Sequence, residues 1–374
     1  MKIDPSFDPL VLSTLVGGLH ILDLPRLNVQ NLEEGRTFSK SYGYNLDDEK
    51  ESTRIWNYHR RAVTFIQTFL LEDGEQIPEA LTDPNQLKDL TYLLIYASTQ
   101  DSKENSFQKW SCGILKVMHV LVHLENDLFT VFSSDIQDQI LSAYNNHIYQ
   151  DLASGQLLLG TPSEPDAVPL KRFDTKPFKT SNSSVTKLLA KPEEVAFGVL
   201  DKMGVRFVTR SLFDAFSVMR YLTRKNIISF PHIIPDQSNN NLYPVNLLFE
   251  VMESITKDVE LTEKELDDLM LKKLEQSMDR AQFRRKLNHF SSSDYRFIKF
   301  ITRKLITVSF PGDAQKSLTF FYPYEVQIVD YESYLKNLSG PASHDEYKKR
   351  QIRKARFRIF GWGTKADDTS GTSS

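Results

Sequence analysis

The chain has 374 residues, 40% of them hydrophobic and 25% charged, an ordinary composition for a globular protein. That length allows two domains, or one domain with a large helical extension. A net charge of −3 excludes a general bias toward nucleic acid or membrane, and a single cysteine, Cys112, excludes an intramolecular disulfide. No basic-plus-apolar leader and no apolar run of membrane-spanning length is present, so a cytoplasmic protein without a membrane partner is the expectation.

The first 166 residues read as helical. Asp8 can cap a helix from Pro9 to Leu22, bent at Gly17-Gly18. Glu51 to Leu71 carries a broad apolar stripe through Ile55, Trp56, Ala62, Val63, Ile66 and Leu70. Asp83-Pro84 starts a helix through Leu87, Leu90, Leu93, Leu94 and Tyr96. Gln108 to Glu125 is apolar on almost every side, as in the central helix of a bundle, and Cys112 on it reads as a buried thiol. Ser134 to Leu158 completes the set. His119 and His123, at i and i+4, could share a metal, but no third ligand beyond Asp127 is evident, so core or interface histidines are the preferred reading. No acidic or basic motif converges in this half, which reads as a scaffold or regulatory region able to carry a protein partner.

Prolines at 162, 165, 169 and 177 mark residues 160–176 as a linker or exposed crossover. GVRFVTR then reads as a short strand, Leu212 to Arg224 as an amphipathic helix, and Asn226 to Ile234 as a strand whose Pro231 suggests an edge or an end. Asn239 to Asn241 reads as a loop. Helix dominates from about 247 to 290, with a capping box at Thr262 to Glu265. This segment reads as a helical hairpin or lid. FIKFITRKLITVSF and SLTFFYPYEVQIV follow as strands, then a basic helix from Tyr347 to Arg358, and a Gly-, Thr- and Ser-rich tail, residues 362–374, expected to be disordered.

The chemistry gathers in the second half. Lys179, Ser183 and Lys187 recur every fourth residue, which on a helix puts two cations and a hydroxyl on one face, a cradle for phosphate oxygens. Asp201 precedes one strand. In another, Phe320, Tyr322, Tyr324, Val326 and Ile328 alternate with a face bearing Glu325 and Gln327. A carboxylate at the edge of each of two strands suits a divalent-metal nucleotidyl or pyrophosphoryl transferase.

These pieces, in the order Lys-x3-Ser-x3-Lys, Asp-x-x-Gly-Val-Arg, Glu-Val-Gln-Ile and Ala-x-His-x-x-Tyr-Lys (Ala342, His344, Tyr347, Lys348), resemble the synthetase domain of RelA/SpoT-type alarmone enzymes. The resemblance covers roughly residues 172–358. It implies a nucleotidyltransferase-like mixed sheet domain, 167–361, with the helical insertion; joined to the α-helical N-terminal region read from periodicity, 1–166, this makes an α+β fold. It implies transfer of pyrophosphate from ATP to a ribose 3′-hydroxyl of a guanosine nucleotide or of tRNA. Asp201 and Glu325 would hold Mg²⁺ and carry catalysis. Lys179, Ser183, Lys187, Arg206, Tyr295, Arg296, Lys299, Gln327 and His344 would bind substrate, Tyr295 by stacking on the acceptor purine.

The sequence departs from the family at Pro177, where the family has an arginine, at Asp294 for a glycine, at Lys299 for a histidine, and at Val329-Asp330 for Arg-Thr. No P-loop, Rossmann or nucleophile-elbow motif occurs. A degenerate member that binds a nucleotide and regulates through its helical half is the alternative, and a plain interaction scaffold the third. The basic run KKRQIRKARFR is either a solvated helix face or a polyanion contact such as a tRNA backbone. Close carboxylates repel unless a cation bridges them, so loss of either charge is expected to spare stability while lowering turnover.

Overall fold

The computed structural model describes residues 8–99, 105–125, 131–151, 154–176, 181–191, 200–255, 261–284, 296–310, 313–338 and 344–361. The chain divides into a helical unit (1–127, 180–198 and 349–374) and a sheet unit (128–179 and 199–348).

The helical unit contains α1 (Pro9–Leu15), α2 (Leu32–Tyr42), α3 (Glu49–Phe69), α4 (Glu79–Thr82), α5 (Pro84–Leu87), α6 (Thr91–Ser98) and α7 (Asn105–Glu125). In α3, Asp48 Oδ1 caps the first turn by accepting from Glu51 N (3.0 Å), and Ile55, Ala62, Val63 and Ile66 are buried in the expected stripe. The apolar α7 packs against α3 and α6. Cys112 on it is buried as expected, its thiol pushed up to about 11 by burial.

Three readings of this half are corrected. The first helix stops at Leu15, and a separate 3₁₀ turn spans Ile21–Asp23. The helix expected from Pro84 to Tyr96 is two helices, because Lys88 between them takes a left-handed φ of 54° that breaks the ladder. The sequence reading passed over α2, although Asn31 caps it at Glu34 N (3.0 Å) and Gly43 closes it at φ 113°.

The sheet unit opens with α8 (Ser133–Asn145), then β1 (Ile148–Gln150), β2 (Leu157–Leu159) and β3 (Val168–Lys176). Thus the helix expected to reach Leu158 ends at Asn145. The supposed linker at 160–176 supplies a sheet strand whose Val168 and Leu170 are buried. The contact division accordingly falls near residue 127, not 166, since Ile136, Ile140 and Tyr144 of α8 join the core beneath the sheet. After α9 (Ser181–Ala190), which groups with the helical unit and packs on α7, come β4 (Gly204–Thr209), α10 (Leu212–Arg224) and β5 (Ile234–Asn240). The strand expected over 226–234 begins at Ile234, because Phe230–His232 turn in a 3₁₀ helix around Pro231. Asn239 and Asn240, expected in a loop, end β5.

The insertion forms α11 (Val245–Ser254) and α12 (Glu263–Gln276), with both hydrogen bonds of the capping box at Thr262 and Glu265. These helices are fixtures, which corrects the lid reading. Leu247, Val251, Met270 and Leu274 belong to the main core, and Asp267 accepts from the α10 amides Leu212 N (2.7 Å) and Phe213 N (3.0 Å). The long pair β6 (Ile298–Phe310) and β7 (Asp313–Asp330) follows, then α13 (Tyr331–Leu338) and α14 (His344–Phe360), which is divided between the units at Lys349. Residues 362–374 and Tyr295 lie outside the described residues.

The sheet is mixed, in the order β1-β2-β3-β4-β7-β6-β5, with β4 and β7 parallel and the other pairs antiparallel. On one face Val205, Phe207, Phe300, Tyr324, Val326 and Ile328 pack with α8 and α10 residues such as Ile140, Tyr144, Val218 and Leu222. The fold is therefore α+β, with a helical N-terminal region and a seven-stranded mixed sheet.

Candidate active site

Strand alternation leaves the opposite face to polar side chains from four adjacent strands. In the register, Lys176 of β3 stands opposite Gly204 of β4, which stands opposite Glu325 of β7. Likewise Arg206 of β4 stands opposite Gln327 of β7, which stands opposite Lys299 of β6. Residues paired in this way share a face, so three cations surround one carboxylate and one amide. Gly204 makes the central approach sterically feasible: a Cβ there would lie 2.8 Å from the Glu325 carbonyl oxygen.

The side chains form one network. Lys176 Nζ donates to Glu325 Oε1 and to Gln327 Oε1 (2.9 Å), and Arg206 Nε donates to the same Gln327 oxygen (2.9 Å). Lys299 Nζ lies 3.1 Å from the other carboxylate oxygen, Oε2. Glu325 is only 6% exposed and Gln327 3%, so both lie buried beside these cations. The electrostatics follow from this crowding. Glu325, with help from Asp201 and Tyr347, drives the Lys299 pKa upward against the cost of burial. Burial drives the Lys176 pKa downward; Glu325 opposes that, while Arg206 and Lys299 add to it.

The structure thus gathers four of the residues singled out from sequence, Glu325, Gln327, Arg206 and Lys299. Asp201, half-buried in the turn before β4, is within electrostatic reach of Lys299. Arg296 is exposed just before β6. Ser183 and Lys187 do lie on a helix, α9, but that helix groups with the helical unit. Lys179, Tyr295 and the side chain of His344 lie outside the described residues. Lys176 is not among the residues assigned to the site from sequence; it ends a strand inside the segment read as linker, and a β-branched or aromatic run that would have flagged that strand is absent.

Among the described residues no group of three or more His, Cys, Asp or Glu is arranged to hold a metal ion. His119 and His123 lie with ring centroids 4.4 Å apart, and Tyr42 Oη is 2.8 Å from His119 Nδ1; His119 is half-buried and His123 exposed. Glu325 has an ammonium group on each oxygen, so its donor set does not fit a resident divalent cation in this arrangement.

No family model matches the chain, and no curated protein matches it. Among solved structures, a GTP pyrophosphokinase family protein from Streptococcus pneumoniae is similar at 14% identity and a TM-score of 0.27, over 62% of this chain and 84% of that one. A likeness at that level leaves activity undetermined. No described helix is long and apolar enough to cross a membrane.

Proposed function

We propose that the sheet unit binds a nucleoside polyphosphate over its basic face and transfers pyrophosphate from ATP to a ribose 3′-hydroxyl, on a guanosine nucleotide or on tRNA. The observation that supports this reading is the convergence of Lys176, Arg206 and Lys299 on Glu325 and Gln327. An incoming triphosphate competes for the two ammonium groups. Each lysine that moves to phosphate frees an oxygen of Glu325, which can then accept the proton of the attacking hydroxyl. Catalysis on this plan rests on positioning and charge neutralisation. Magnesium enters with the ATP as part of the substrate, and Asp201 is the accessible carboxylate to meet it.

The second reading is a nucleotide-binding regulator without turnover. It is favoured by the double lysine contact that occupies Glu325. Product analysis after incubation with ATP, Mg²⁺ and GDP, GTP or bulk tRNA separates the two, with calorimetric ATP binding measured alongside. Turnover supports the transferase; saturable ATP binding without product supports the regulator. Lys299→Met should weaken ATP by about tenfold or more, the worth of one charge-assisted hydrogen bond. Absence of ATP binding by the parent protein would defeat both readings.

A further inference from the structure

Building on the nucleotide-binding reading above, we propose that the purine base of the nucleotide is seated against Phe321 of β7, with Arg303 of β6 and His232 beside it. Strand alternation puts this seat on the same face as the cation cluster. On β7, Phe321 and Pro323 continue the face of Glu325 and Gln327, and opposite them on β6 stand Leu305 and Arg303. Phe321 lies four residues from Glu325 (325 − 321), roughly 13 Å along an extended strand. A nucleoside triphosphate laid along β7, with its phosphates at Lys176 and Lys299, spans that gap and brings its base to Phe321.

The side chains at this end suit a flat ring. Glu325 and Gln327 are buried, whereas Phe321 is 48% exposed and Leu305, opposite it, 52%. Single exposed apolar side chains are ordinary on a surface. Here two oppose each other across a strand pair, and the ring of Phe321 is flanked by two further planes. The Arg303 guanidinium carbon lies 5.9 Å from its centroid, and the His232 ring lies 4.9 Å from it, tilted by 69°. Aromatic rings and guanidinium planes both stack on bases, and the cation adds attraction to an electron-rich π face. Stacking reads the flat face of a base and not its hydrogen-bonding edge, so the seat takes adenine and guanine alike.

The test compares ATP with inorganic tripolyphosphate, each with Mg²⁺, by calorimetric titration of the full chain. Phe321→Ala should weaken ATP by about tenfold, the worth of one stacked base, and leave tripolyphosphate unchanged. The unchanged tripolyphosphate also shows that the variant is folded. Phe321→Trp should keep ATP affinity, and its added indole fluorescence should be quenched by ATP and not by tripolyphosphate. Lys299→Met should weaken both ligands, because it removes a phosphate contact. ATP bound by Phe321→Ala as by the parent would overturn the seat and leave the polyphosphate reading standing, the exposed ring then belonging to a protein or nucleic-acid contact. Loss of tripolyphosphate affinity in Phe321→Ala to the same extent as ATP would also overturn the seat. A parent that binds neither ligand would overturn both readings.

Discussion

The two units bury ionisable groups in opposite ways. In the sheet unit, charges are concentrated: Lys176, Arg206, Lys299 and Glu325 meet on one face, where the cations outnumber the acid among them. In the helical unit they are dispersed and individually neutralised. Arg356 is held by Glu72, Glu75 and the Leu70 carbonyl, and Arg358 by Asp23 and the α9 carbonyls of Leu188 (3.1 Å) and Leu189 (3.4 Å). His59 and His119 are kept neutral by burial. Dispersed pairs hold helices in place. A cluster with excess charge of one sign stores binding energy for a ligand of the other sign.

The comparison breaks most sharply at Glu325. Glu325→Gln leaves two ammonium groups facing each other without their carboxylate, so stability should fall by roughly 3–5 kcal/mol in urea denaturation. This reverses the expectation drawn from sequence, because the repulsion that matters is between lysines. Any turnover should fall about a hundredfold or more. A double variant, Glu325→Gln with Lys299→Met, should recover part of the stability and none of the activity. Stability equal to the parent in the single variant would show that the network does not hold in solution.

Asp267→Ala probes whether the insertion is a fixture. Loss of a carboxylate that accepts from two amides at the start of α10 should cost about 2 kcal/mol. A destabilisation below a few tenths of a kcal/mol would return the insertion to the status of a loosely attached lid.

The units should also answer pH in opposite directions. Burial, aided by the charge of His123, lowers the His119 pKa to about 4 from 6.5. The unfolded chain therefore takes up a proton that the folded one refuses. The stabilisation is complete above pH 6.5 and is lost as pH falls toward 4, on the order of 2 kcal/mol. In the sheet unit, burial raises Asp214 to about 6 from 3.8, with Glu263 and Asp267 adding to it and bonds to Ser211 opposing. Here the folded state binds the proton more tightly, so this contribution is present below pH 3.8 and lost as pH rises through 6. Thermal melts across pH 4–7 should show the acid loss vanish in His119→Gln and the opposite slope vanish in Asp214→Asn.

The smallest effect expected is at the cap of α12. Thr262→Ala removes the hydroxyl that accepts from Glu265 N (3.3 Å) and should lower stability by about 1 kcal/mol, with ATP binding unchanged. A change in ATP affinity larger than the change in stability would make this helix part of the site.

Local pattern made much of the molecule legible. The stripe of α3, the run of α7, the bounds of α10, the capping box of α12 and the alternation of β7 are all short-range features, set by side-chain period and capping chemistry. The alternation of β7 likewise marked Glu325 and Gln327, whereas Arg206 and Lys299 entered only through the family resemblance. What failed did so where local signals were weak or were overridden. β1 and β2 are three residues each, too short to display a period, and β3 sits among prolines that read as a linker. One residue, Lys88 with positive φ, split a helix whose apolar periodicity ran straight through it.

Sequence alone determined that α3, α7, α10 and α12 coil, that β4, β6 and β7 extend, and which side of β7 is polar, because these depend on neighbours within a few positions. Only the tertiary structure decided that β4 runs parallel beside β7, placing Gly204 against Glu325, and that β3 brings Lys176 to the same spot. It alone decided that both oxygens of Glu325 are met by lysines 149 and 26 residues away in the chain (325 − 176 and 325 − 299). Strand order across a sheet is chosen by burial of the whole core, and no local spacing encodes it.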